Sequence, residues 1–253
     1  MKLLRDSWLL FGRYFMLLVR NPAWVIIGLL QPILYLVLFA PLLKSIAAVP
    51  GFPRGGAYNV FVPGLLIQLG LFGASGVGFP LIAELRAGVV ERFRVTPVSR
   101  VAMLLGRAQR DVVTLLIQSV LMILVSIRFG LTINLAAALV VLGLVSLIGI
   151  MMASTSYAVA LWLKDENSYA PLVFTATLPL LLLSGVLLPL TLAPDWLRKI
   201  AAVNPLAYAV DAARASFLLH LDDPSVAKGL AIISVLALIA VVGAARAFGR
   251  AVA

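Results

Sequence analysis

Six runs of about 20 mostly apolar residues follow one another along this chain, at 23–43, 59–83, 111–127, 135–163, 169–190 and 228–248. A helix needs about 20 such residues to cross the hydrocarbon core of a bilayer, so each run predicts a transmembrane helix. The fifth is the least regular, because Pro171, Pro179, Pro189 and Pro194 punctuate it and a long polar stretch follows. Ahead of the first run, residues 2–19 set Trp8, Leu9, Phe11, Phe15 and Leu18 against Arg5 and Arg13. That pattern predicts an amphipathic helix lying in the membrane interface, with a straight extension of the first span as the alternative. Asn21-Pro22 then turns the chain into the first span. The pattern shows no internal repeat, low-complexity tract or soluble domain. One membrane domain is expected over residues 1–253.

Composition sharpens this picture. Of 253 residues, 63% are hydrophobic and only 12% charged, well away from the near-half and quarter of a soluble domain. The net charge of +10 comes from Lys and Arg scattered over the breaks between runs, as membrane-flanking loops carry them, and predicts no nucleic-acid partner. With the N-terminus inside, 13 of the 20 Lys and Arg fall on the inner side. Both termini are therefore expected in the cytoplasm. No small-residue cleavage site closely follows the basic N-terminal residues, so the first span is expected to be retained rather than removed as a signal peptide.

Several chemistries lack their residues. There is no cysteine, and none of the five lysines follows a glycine, as a phosphate-binding loop of the G-x-x-x-x-G-K-[ST] type requires. His220 stands alone in a polar loop beside Asp222 and Asp223, and reads as solvated rather than metal-ligating or catalytic. The centres of the spans are nearly free of Asp, Glu, Lys and Arg. Ion-coupled carriers place ionisable groups there, so an ion-coupled carrier is disfavoured, as is an intramembrane enzyme without a convergent nucleophile, base or metal set. A non-transporting scaffold is the remaining alternative. Any driving energy has to come from elsewhere.

The stretch "GVVERFRVTPVSR", residues 88–100, concentrates charge between two apolar runs. Read as a helix, residues 84–95 place Leu85, Val89, Val90 and Phe93 on one side and Glu84, Glu91 and Arg94 on the other, with Arg86 breaking the pattern. Thr96-Pro97 must end that helix, and Ser99 is placed to cap the next. Arg107 and Asp111, four apart, are positioned to pair across one turn. A basic loop that merely fixes topology needs neither the amphipathic face nor the Pro-Ser turn, whereas a docking element needs both. The inner turn Lys164-Asp165-Glu166-Asn167 reads as an ordinary solvated turn, with a minor docking contact as the alternative.

"ELRAGVVERFRVTPVSRVAMLLGR" closely resembles the loop between spans two and three in permeases of the ABC-2 type transporter family. "LLLLSGVLLPLTLAPDWLRKIAAVNPLAYAVDAAR", residues 180–214, resembles the family's pattern after span five, and "LVRNPAWVIIGLLQPILYLVLF" its first span. The resemblance covers essentially the whole chain. It implies an all-α polytopic membrane protein with six transmembrane helices, an N-terminal amphipathic interfacial helix, a cytoplasmic coupling helix, and re-entrant helices after span five marked by Gly185, Pro189, Trp196, Asn204, Pro205 and Arg214. It also implies that a separate ATP-binding subunit docks on Glu84, Arg86, Gly88, Glu91, Arg92, Phe93, Arg94, Thr96, Pro97 and Ser99. Two copies of the chain are then expected to assemble with two ATPase subunits in the plasma membrane of a prokaryote. ATP and Mg would reside on the partner, and this chain would bind no cofactor or metal and hold no catalytic residue.

In such relatives the segment after span five dips into the outer leaflet. Residues 196–219 suit this, being apolar at Leu197, Ile200, Val203, Leu206, Tyr208 and Phe217 but too charged at Arg198, Lys199, Asp211 and Arg214 to span. An interfacial helix without re-entry is the alternative. Gly70, Ala74 and Gly78 form a small-residue stripe that suits close packing, either within the chain or along a path. By resemblance, spans one, two and five surround the route, with Gln68 and Ser75 on span two and Thr175, Thr177 and Ser184 on span five as path residues. The sparse charge suits an amphipathic or hydrophobic cargo, such as a drug or lipid-like molecule, moved outward. Export of a polysaccharide or lipid-linked glycan is the alternative.

Overall fold

The computed structural model describes residues 2–46, 56–88 and 100–251, and among these the chain is helical, with no strand. Helix α1 spans Lys2–Arg20 and α2 spans Ala23–Ile46. The two are bent by 66° at the Asn21-Pro22 break, so α1 is not a straight extension of α2. One side of α1 buries Leu10 and Tyr14 against Ala102 and Met103, while Trp8, Leu9, Met16 and Leu17 remain exposed on the other.

Helix α3 (Ala57–Ser75) and helix α4 (Gly78–Arg86) together cover the second apolar run, which was expected to be one unbroken helix. The break at Gly76-Val77 has a local cause. Pro80 has no N–H to give the Gly76 carbonyl, and the Phe79 N–H takes that oxygen instead at 3.2 Å. The backbone groups freed in this apolar setting are met by hydroxyls. Tyr169 donates to the Ser75 carbonyl at 2.7 Å, and the Gly78 N–H donates to Ser156 Oγ at 2.8 Å. The two hydroxyls lie 2.6 Å apart, which closes the bridge.

Helix α3 is the centre of the molecule: 17 of its 19 residues are buried. Helix α5 (Arg100–Arg128), α6 (Leu135–Leu163) and α7 (Glu166–Leu182) follow, then α8 (Asp195–Ala201), α9 (Pro205–Phe217) and α10 (Pro224–Ala251). Helix α6 packs against α3, α5, α9 and α10. The small-residue stripe lies within these contacts. A side chain at Gly70 would meet Ile148 Cγ2 at 3.2 Å, one at Gly78 would overlap the Tyr169 ring, and Ala74 is fully buried. The stripe therefore serves packing inside the chain. Large apolar side chains instead face outward on α2 (Ile26, Ile27, Leu30, Leu34) and α10 (Val235, Leu238, Ile239), the arrangement expected where the surroundings are hydrocarbon.

Among the described residues, four helices are long and apolar enough to cross a membrane: 57–86, 102–128, 135–163 and 224–249. The bent pair of α1 and α2 makes up to a fifth. The run at 169–190 falls short, because α7 ends at Leu182 after 17 residues. Gly185 then takes φ 73, a conformation side chains resist, and Pro189 starts a short 3₁₀ turn at Leu190–Leu192.

Candidate functional site

Among the described residues, two clusters of charged and amide side chains hold the ends of the bundle, and Gln68 stands apart within α3. At the end carrying α1, Arg86 closes α4 and reaches the turn between α6 and α7, 2.8 Å from Asp165 and 3.8 Å from Glu166. That turn is locally built: Lys164 ends α6 in the left-handed region, and Asp165 caps α7 by accepting from the Ser168 N–H at 2.9 Å. The Ser168 hydroxyl and N–H hold the Asp165 carboxyl below its ordinary range. Residues 164–167 remain largely solvated, and the Arg86 pairs link them to the end of α4.

A second knot lies behind the first. Arg107, on α5 and nearly fully buried, pairs with Glu84 on α4, and its guanidinium stacks 4.7 Å over the ring of Tyr14 on α1. Three helices meet on one cation. The expected pairing of Arg107 with Asp111 is not what forms. Asp111 instead accepts from the Tyr157 hydroxyl on α6 and pairs with Arg110 at 3.0 Å. Spacing along one helix shows which residues can meet across a turn, but not the stronger partner waiting on a neighbouring helix. Close packing of α1 supports this knot: a side chain at Gly106 would meet Leu10 Cβ at 2.7 Å, and Ser7 Oγ donates to Gln109 at 3.3 Å.

Of the expected docking residues, Glu84 and Arg86 thus form the last turn of α4. Gly88 follows with φ 66, and its N–H bonds to the Leu85 carbonyl at 3.2 Å, a glycine-closed helix end. A helix continuous over 84–95 therefore stops at its third residue. Glu91, Arg92, Phe93, Arg94, Thr96, Pro97 and Ser99 lie outside the described residues, and α5 begins at Arg100.

At the opposite end, Arg214 on α9 is buried with carbonyls in place of a carboxylate. Its Nε donates to Val60 at 2.9 Å, and one Nη to Gly185 at 2.6 Å. Asn204 caps α9 by accepting from the Leu206 N–H and donates to the Leu180 carbonyl at 2.7 Å. The arrangement pins α9 and the turn after α7 onto the start of α3, where a side chain at Gly64 would strike the Val186 oxygen at 2.5 Å. Pro205 opens α9, Pro189 is buried, and Trp196 on α8 is exposed. Asn59, not among the expected site residues, donates to the Thr132 carbonyl at 3.0 Å and to the Phe217 carbonyl at 3.2 Å. An amide at the very start of an apolar run was the available signal. His220, Asp222 and Asp223 are exposed, and no group of three metal-ligating side chains occurs among the described residues.

The expected path residues divide sharply. Ser75, Thr177 and Ser184 are buried, but each hydroxyl is spent on a carbonyl of its own segment: Phe72 at 3.0 Å, Val173 at 2.7 Å and Leu181 at 2.6 Å. Thr175 lies on the exposed face of α7. Gln68 differs. It is 1% exposed, and neither its amide nitrogen nor its oxygen has a hydrogen-bond partner. Leaving such a group unmet costs about 1–3 kcal/mol. It borders a cavity of about 120 Å³ between α2 and α3, lined by Ile27, Gly28, Gln31, Pro32, Leu69, Phe72 and Gly73.

The ABC-2 type transporter family matches residues 5–218. A protein named as a transport permease, ycf38, from Porphyra purpurea is 31% identical over 207 residues, covering 80% of this chain and 70% of that one. Its counterpart from Cyanophora paradoxa is 30% identical over 213 residues, 83% of this chain and 73% of the relative. A protein named for doxorubicin resistance, the ABC transporter permease DrrC of Mycobacterium tuberculosis, is 25% identical over 197 residues, 77% of this chain and 70% of its own length.

Proposed function

Because the chain belongs to the ABC-2 type transporter family, whose members are transport permeases that work with an ABC ATPase subunit, we propose that it is the membrane half of an exporter moving a drug-like or lipid-like amphiphile out of the cytoplasm. In this reading α2, α3–α4, α5, α6, α7 and α10 are six spans, both termini are cytoplasmic, and α8–α9 dip back into the outer leaflet. Two copies and two ATPase subunits form the working unit, with ATP and Mg on the ATPase. The doxorubicin-resistance relative supports a drug-like cargo over a glycan. The membrane is taken to be the plasma membrane of a prokaryote, with an algal plastid membrane as the alternative raised by the ycf38 relatives.

One observation carries the mechanical part. Both inner segments, the end of α4 and the turn 164–167, are joined by Arg86, and the same end of α4 holds Arg107 and through it α1. A partner gripping residues 84–99 therefore pulls on α1, α5 and the α6–α7 turn together. ATP-driven closure reaches the spans through ion pairs, with no ATP site needed in this chain.

The test is to express the chain with a tag in its native host, identify any ABC ATPase that co-purifies, and measure vanadate-sensitive ATP turnover and efflux. Glu91→Ala with Arg94→Ala should uncouple the two, leaving the permease folded but without ATPase. If no ATPase co-purifies and the double variant leaves efflux unchanged, docking at this segment is wrong.

A further inference from the structure

Resting on the exporter reading, we infer that the cavity beside Gln68 is a binding site for the headgroup of an uncharged amphiphile, and that it selects groups offering both a hydrogen-bond donor and an acceptor, such as a primary carboxamide. Gln68 lies about 16 Å along α3 from its start, deep within the 30-residue rod of α3 and α4. The residue lines the cavity, and its buried amide has no partner. A carboxamide has two N–H donors and a carbonyl acceptor, so it is satisfied best by another group of the same kind.

The opposite wall adds an acceptor. Pro32 stands inside α2 and removes the N–H that would bond to the Gly28 carbonyl four residues earlier, and both residues line the cavity. Gln31 completes the polar side, its Nε2 donating to the Tyr35 hydroxyl at 3.4 Å. Among the described residues no Asp, Glu, Lys or Arg lines the cavity, so a charged headgroup would enter without a counter-ion from them. Ile27, Leu69 and Phe72 supply the apolar remainder, and Ile27 continues onto the exposed face of α2, where a tail can lie. A hydrocarbon tail leaving by that face runs along Ile26, Ile27, Leu30 and Leu34, all exposed.

The experiment holds the tail fixed and changes the headgroup. The full chain in lipid nanodiscs is titrated with tritiated oleamide, with oleamide, methyl oleate and oleate as competitors. Oleamide should compete at about tenfold lower concentration than the other two, since each neutral hydrogen bond adds a few-fold. Gln68→Leu should bring oleamide to the level of methyl oleate. Pro32→Ala, which restores the N–H facing Gly28, tests the site independently should the first variant fail to fold, and should weaken oleamide selectively. Equal competition by all three headgroups overturns the inference, and so does undiminished oleamide selectivity in both variants. A change of oligomeric state in Gln68→Leu without headgroup selectivity overturns it too, because a second copy of the chain would then fill the cavity. ATP turnover of the assembled complex separates this from the exporter reading: headgroup selectivity without any effect of oleamide on turnover keeps the site and removes the transport role assigned to it.

Discussion

Replacing Arg107 by Met should loosen the end of the bundle that carries α1 more than any other single truncation there. Arg107 is 4% exposed and serves two partners, the Glu84 carboxylate on α4 and the Tyr14 ring on α1. Removing one member of a buried pair costs about 3–5 kcal/mol, because the other charge is left desolvated. The Glu84 side chain retains 26% of its exposure, so water recovers part of that, and about 2–3 kcal/mol is the expected loss from the pair. The lost stacking on Tyr14 adds about 1 kcal/mol. Glu84→Gln alone should cost less, since Gln can still accept from the guanidinium. In the double variant the buried charge and its partner are both gone, and the total should be smaller than the sum by about 1.5 kcal/mol. Equilibrium unfolding in mixed micelles gives the cycle, and hydrogen exchange over α1 gives the location. A coupling under about 0.5 kcal/mol, or unchanged exchange in α1 of the Arg107 variant, would refute the three-helix knot.

Three further outcomes follow from neighbouring features. Tyr169→Phe deletes the hydroxyl that serves the Ser75 carbonyl and Ser156, and at about 0.6 kcal/mol per bond in membrane proteins it should cost about 1 kcal/mol, with faster exchange confined to residues 75–79. Arg214→Lys should destabilise by about 2 kcal/mol in micelle unfolding despite keeping the charge, because an ammonium cannot reach Val60 and Gly185 with a planar fork; full stability in this variant counts against the clamp. The carboxyl of Asp165 titrates below its ordinary value, so its cap on α7 contributes above the unfolded carboxylate pKa and is lost as pH falls through the lower, folded one. Protection of the Ser168 amide should accordingly persist to pH below about 3.9, and Ser168→Ala should move its loss upward.

Long apolar runs made most of the helices legible, and the amphipathic pattern of residues 2–19 gave α1. What hydropathy averages over is backbone continuity. The run 59–83 reads as uniform, yet Pro80 breaks it, and the Ser156 and Tyr169 hydroxyls that make the break tolerable lie about 80–95 residues away. The fifth run ends early at Leu182 for a similar reason, its backbone turning at Gly185, where φ is positive. Arg107 was visible as a charge near a span but not as the partner of Glu84, because the choice between two carboxylates is made by helix packing. Gln68 was legible as a polar residue deep in a span. That its amide is unmet while Ser75, Thr177 and Ser184 bond to their own backbone required coordinates.

The break in the second rod also sets how far a pull can travel. Below the joint at Gly76-Val77, α4 is a lever of nine residues, about 13 Å long, hinged on two hydroxyl groups. A tilt of about 10° displaces its Arg86 tip by about 2 Å, given that lever length, with the bend taken up at the joint. In the proposed exporter the load would pass sideways instead, into Tyr169 on α7 and Ser156 on α6. The central helix can then stand still as a post while the short arm beneath it swings.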